Sequence, residues 1–132
     1  MDVAKKIPLL AAVVLLGSCS LTRAELVALT DRDLVDAGAN HLAGHRDLAI
    51  AEAARRFEWG DDVHDAILSR QMWLGMDWRM LLLSRGHPWE TDRVVTVFGD
   101  SDTYTWGTWA GARGPTIAWL TDGIVTSFRV GD

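Results

Sequence analysis

Gly86-His87-Pro88 divides this chain into two halves with different periods, and no other feature constrains the fold as strongly. Glycine at a helix end with proline just beyond it stops a helix. Upstream of this stop, apolar residues recur three or four apart; downstream they alternate. Helices followed by strands predict an α+β fold, with helices packed on one face of a three- to four-stranded antiparallel meander.

Thr30 reads as an N-cap ahead of Asp31 and Asp33, and Leu34, Val35, Ala37, Leu42 and Ala43 give a partial stripe ending near Gly44. A second helix is expected from Arg46 to Phe57. Ala49, Ala51, Ala53 and Ala54 make the pair Ala-rich, and small side chains let the two pack closely. Gly38, Ala49 and Ala53 resemble a tetratricopeptide hairpin, but one partial copy is not a repeat array, so residues 31–60 are expected as an ordinary helical hairpin. Asp61 or Asp62 should cap a third helix running to about Gln71. The sharpest segment follows: Gly75-Met76-Asp77 leads into Trp78–Arg85, with Asp77 as cap and Gly86 at a left-handed C′ position. Residues 61–132 are expected to form the main α+β domain.

Beyond Pro88, Arg93–Phe98 reads as a strand and Gly99-Asp100-Ser101-Asp102 as its turn. Thr103–Ala110 reads as the next strand and Gly111–Pro115 as a second turn. Thr116–Leu120 and Ile124–Val130 are joined through Asp122-Gly123, a strong hairpin signal. Alternation puts Ile124, Thr126, Phe128 and Val130 on one face of the last strand and Val125, Ser127 and Arg129 on the other.

At the other end of the chain, Lys5 and Lys6 precede ten apolar residues, Ile7–Leu16, and then Gly17-Ser18-Cys19. A membrane-spanning helix needs roughly 20 apolar residues, so the pattern reads as a secretory signal over residues 1–18. Leu16-Gly17-Ser18-Cys19 resembles the bacterial lipobox. That resemblance implies cleavage before Cys19, acylation of its sulfur, and an anchor in a membrane through that lipid. The same resemblance implies, with Ser20 rather than Asp after the lipidated Cys and in a Gram-negative cell, sorting to the outer membrane with the protein facing the periplasm. Residues 19–30 are then expected as a lipidated tether.

Composition narrows the chemistry. Cys19 is the sole cysteine, so its lipidation would leave no thiol for catalysis or disulfides. Beyond residue 18 there are 11 basic residues, all Arg, against 17 acidic ones. The absence of Lys excludes Schiff-base chemistry and a P-loop lysine, and the acidic balance argues against nucleic acid as a partner. Seven Trp residues are many for 132 positions. Most are expected in the core, with Trp89, Trp106 and Trp109 as candidate interface residues.

Gly75-Met76-Asp77, the short capped helix, Gly86-His87-Pro88, and strands ending in the Asp122-Gly123 hairpin together resemble the SmpA/OmlA domain of the BamE lipoprotein family. The resemblance covers about residues 63–130. It implies helices on an antiparallel sheet, as in β-lactamase-inhibitor-like domains, and a place in outer-membrane assembly or integrity. The hairpin ahead of residue 61 departs from the family pattern.

Catalytic readings find little support. Gly99-Asp100-Ser101 resembles the nucleophile block of GDSL-type hydrolases but sits in an expected turn near the C-terminus. His41 and His45 are four apart, yet Gly44 interrupts their helix; His64 and Asp65 are adjacent and would diverge on one. His87 lies in a loop. No nucleophile, base and oxyanion donors assemble, so neither a catalytic residue nor a metal or other cofactor is expected. The expectation is a non-catalytic envelope lipoprotein that binds a protein partner, or an inhibitor-like or effector-binding lipoprotein of the same fold.

Overall fold

The computed structural model describes residues 21–40, 44–107 and 114–131. Among them the order is α1 (Arg23–Val27), α2 (Asp31–Ala39), α3 (Arg46–Arg56), α4 (Asp61–Leu68), α5 (Trp78–Arg85), β1 (Glu90–Thr96), β2 (Gly99–Trp106), β3 (Thr116–Thr121) and β4 (Ile124–Arg129). The architecture is α+β, and the strands form one antiparallel sheet in the order β1-β2-β3-β4.

The helix starts follow local chemistry. Thr30 accepts from the Asp33 N–H at 3.2 Å, and Asp77 accepts from the N–H groups of Arg79 and Met80 at 2.9 and 3.0 Å. Gly60, not Asp61 or Asp62, occupies the cap of α4; the two carboxylates fall inside the first turn, where they only complement the dipole. That helix stops at Leu68 rather than near Gln71, because the chain turns at Arg70, whose φ is +60°. Similarly, α2 ends at Ala39, ahead of Gly44. Gly86 takes φ +88° as expected but with ψ −175°, so it is extended rather than left-handed helical.

Two expected boundaries are corrected. Cys19 and Ser20 lie outside the described residues, but the rest of the expected tether is structured. Thr22 and Glu25 close a capping box on α1, and Leu21 and Leu26 are 5 % and 0 % exposed. The division at residue 60 also disappears. Leu26, Leu34, Val35 and Ile50 share one core with Ile67 and Leu83, so the helical hairpin and the following segment are one packed unit. Gly38 makes this possible: a Cβ there would sit 2.3 Å from Leu83 Cδ2 and 3.1 Å from Ala49 Cβ.

A second apolar cluster joins α5 to the sheet through Met76, Leu81, Ala118, Leu120 and Val125. Each of these side chains other than Ala118, fully buried, contributes about 1.5–3 kcal/mol. The α5 helix is therefore a shared wall, turning Leu83 to the helices and Leu81 to the strands.

Turn chemistry misplaced the first hairpin. Gly99–Asp102 belongs to β2, with Thr96 paired to Gly99, and the turn is Val97-Phe98. Thr96 Oγ1 accepts from the Phe98 N–H at 3.1 Å and donates to the Gly99 carbonyl at 2.9 Å, closing the turn with one side chain. Arg93 lies opposite Asp102 and pairs with both Asp102 and Asp100, offsetting the cost of two carboxylates in one strand. The second hairpin is as expected: Asp122 and Gly123 have φ of +50° and +81°, the positive pair of a type I′ turn. A bulge at Thr126 then breaks the alternation in β4. Leu120 opposes Val125 and Ala118 opposes Phe128, so Val125 and Phe128 share the core face that strict period two denies them.

Candidate functional site

The sheet-edge motif explains itself through backbone bonds. Gly75, at φ +91°, donates to the Val125 carbonyl at 2.9 Å; Val125 donates to the Met76 carbonyl at 2.8 Å; Trp78 donates to Gly123 at 2.8 Å. Gly75-Met76-Asp77 thus forms a short rail that covers the start of β4. Met76 fills the core beneath it. Asp77 also holds Arg79 at 2.8 Å, and that guanidinium lies 4.1 Å from the Phe57 ring centroid. Gly75, Met76, Asp77, Asp122 and Gly123 therefore meet at one end of α5, while Gly86 and Pro88 end it at the other.

Between α2, α5 and the sheet lies an open groove of about 570 Å³, lined by Arg32, Trp78, Arg93, Asp102, Tyr104 and Asp122 among others. Arg32 sits over Trp78 at 6.0 Å. Burial, and then the Asp102 charge, push the Tyr104 phenol above its usual value, so it stays neutral at physiological pH. Asp122 Oδ1 accepts from the Asp100 N–H at 2.9 Å and ties the two hairpin ends together. The histidines stand apart. His45 is buried, accepting from the Leu21 N–H and facing the Ala37 carbonyl; His64 lies on α4; His87 is an exposed loop residue. His41 lies outside the described residues. Among the described residues, no group of three or more His, Cys, Asp or Glu could hold a metal ion, and no helix is long and apolar enough to cross a membrane.

The three tryptophans expected at an interface separate. Trp89 is 80 % exposed, its ring resting on Gly107, where an added Cβ would fall 2.5 Å from the indole. Trp106 is half-buried: its indole N–H donates to the Gly86 carbonyl at 3.1 Å, and its ring meets Tyr104 edge-on. Trp109 lies outside the described residues. Sequence reasoning missed the most exposed apolar feature. Val97 and Phe98, at the turn between β1 and β2, are 94 % and 92 % exposed, and Val95 is 72 % exposed. Every residue of β1 is exposed. The signal was present as Val94-Val95-Thr96-Val97-Phe98, but such a run reads as a buried strand when the turn is placed after it.

Two buried-face arginines also escaped notice. Arg46 donates to the carbonyls of Ile67 (2.9 Å), Leu83 (3.2 Å) and Ser84 (3.4 Å), stitching the ends of α4 and α5 together. Arg56 does the same for α1 through Leu26, Val27 and Leu29. Comparison with protein-family models, with curated proteins and with solved structures returns no match.

Proposed function

We propose that this chain is a lipoprotein of a bacterial cell envelope, anchored in the outer membrane by lipid on Cys19 and facing the periplasm. It acts by binding a protein partner and carries out no catalysis. The observation that carries this reading is the Leu16-Gly17-Ser18-Cys19 signal, placed two residues ahead of the buried Leu21. A body that begins directly after a lipidation site is held close to its membrane. Two or more acyl chains make a firm anchor, since each buried CH₂ contributes about 0.8 kcal/mol. The exposed Trp89 and the β1–β2 hairpin supply the kind of apolar surface that partners bind.

A further part of the proposal is kinship with the SmpA/OmlA domain of the BamE family, and with it a role in outer-membrane assembly or integrity. Its support is the Gly75-Met76-Asp77 rail, the capped α5 and its Gly86 stop, all lying on an antiparallel meander. Mass spectrometry of the membrane-extracted protein tests the anchor. A mature N-terminus at acylated Cys19 is expected, with Cys19→Ser releasing the chain from membranes. An unprocessed Met1 terminus with a free thiol would refute it.

A second reading, an inhibitor-like or effector-binding lipoprotein, is favoured by one observation: the Val97-Phe98 turn protrudes and could enter a cleft. Retention of binding activity by a freely secreted Cys19→Ser form would support it over an anchored scaffold.

A further inference from the structure

The chain enters the body far from its apolar tip. The Leu21 N–H bonds His45 Nδ1 at the start of α3, and the adjacent Arg46 reaches the C-terminal end of α5 through Leu83 and Ser84. The Val97-Phe98 turn lies beside the Asp122-Gly123 turn, whose Gly123 carbonyl binds the Trp78 N–H at the N-terminal end of α5. Entry and tip therefore sit at opposite ends of α5. They also sit in different layers, since α1 packs on α3, the α2–α3 pair meets α5, and α5 carries the sheet. The eight residues of β2 alone span roughly 26 Å at about 3.3 Å per residue. Only Ser20 separates Cys19 from Leu21, roughly 7 Å of chain.

From this geometry we infer that the β1–β2 tip (Val95, Val97 and Phe98) is a docking element held away from the anchoring bilayer, and that its occupant is an apolar cleft on a protein partner. The inference rests on the lipid anchor at Cys19 proposed above. Residues 94–99 carry no charge, and the first charged pair behind them, Arg93 and Asp100, neutralises itself. The tip thus presents a convex apolar knob without a cationic collar of the kind that anionic headgroups would attract. Adjacent apolar side chains standing almost fully in water are unusual unless a partner removes them from it. With so short a link, the placement of entry and tip at opposite ends of α5 turns the tip away from the anchoring membrane.

Photo-crosslinking of the full-length lipidated protein in intact cells tests this. A benzophenone amino acid is placed at position 98, with the exposed Asp65 position on α4 as the control. The expected result is a protein adduct from position 98 that position 65 does not give. The adducted protein, once purified, should bind the lipidated chain in vesicles, and Val97→Asp with Phe98→Asn should weaken that binding by about tenfold or more. The variant's melting temperature and its partition into detergent should stay unchanged. An adduct at twice the chain's mass would assign the tip to a second copy, a phospholipid adduct would assign it to the bilayer, and either would overturn the inference. So would no adduct, or a variant that binds as well as the parent. Partition of the unsubstituted protein into the aqueous phase would instead refute the lipid anchor, independently of the tip.

Discussion

The helical body and the β1–β2 hairpin are built by opposite means. In the body, fully buried Leu and Ile side chains from all five helices meet in one cluster, and two arginines on α3 satisfy the carbonyls at the ends of α1, α4 and α5. The hairpin has neither. Its inner residues are held by the strand ladder, by the Thr96 staple and by Arg93 between two aspartates. Such exposed pairs contribute about 0–1 kcal/mol each. The contrast teaches that stability resides in one region while the exposed apolar surface resides in the other. Substitutions should therefore separate the two properties.

Arg46→Ala should have the largest effect among substitutions that sharpen this division. It strips donors from the ends of two helices in a partly buried setting, and we expect a loss of about 3 kcal/mol in urea unfolding. A loss below 1 kcal/mol would mean that water replaces the guanidinium. Gly38→Val forces a branched side chain into Leu83 and Ala49, and about 1–3 kcal/mol should be lost by the same measurement. Gly86→Val places a β-branched residue at φ +88°, which should cost at least about 1 kcal/mol; an unchanged melting temperature would mean that α5 ends elsewhere.

A smaller effect depends on pH. The hydrogen bond from Arg55 at 2.6 Å, together with Arg56 nearby, holds the buried Glu52 carboxyl below its ordinary range. A lowered folded-state value means that the contribution is complete above the ordinary carboxylate range and is lost as pH falls through the lowered value. Glu52→Gln should thus be less stable than the parent at neutral pH, with the gap closing in acid. A gap that widens in acid would reverse the assignment.

Much of the body was legible because its signals are local. Thr30, Asp77 and Asp122-Gly123 act within two or three residues of themselves, and all took their expected roles. The errors arose where a distant partner decided. Gly99–Asp102 has the composition of a turn, yet its aspartates lie in a strand, where Arg93 pairs with both. Thr22 and Glu25 form a capping box whose helix is kept by Arg56, thirty residues away. The bulge at Thr126 depends on β3 and leaves no mark in the period of β4. The apolar tip was hidden for the same reason: Val97 and Phe98 read as buried until the turn between them is known.

The division between body and hairpin is tested most directly by thermal unfolding of Val97→Asp/Phe98→Asn beside Leu81→Ala. The buried leucine should lose about 2–5 kcal/mol and many degrees of melting temperature, whereas the tip variant should stay within about 0.5 kcal/mol of the parent. A tip variant that melts as early as Leu81→Ala would contradict the account, because Val97 and Phe98 would then belong to the core.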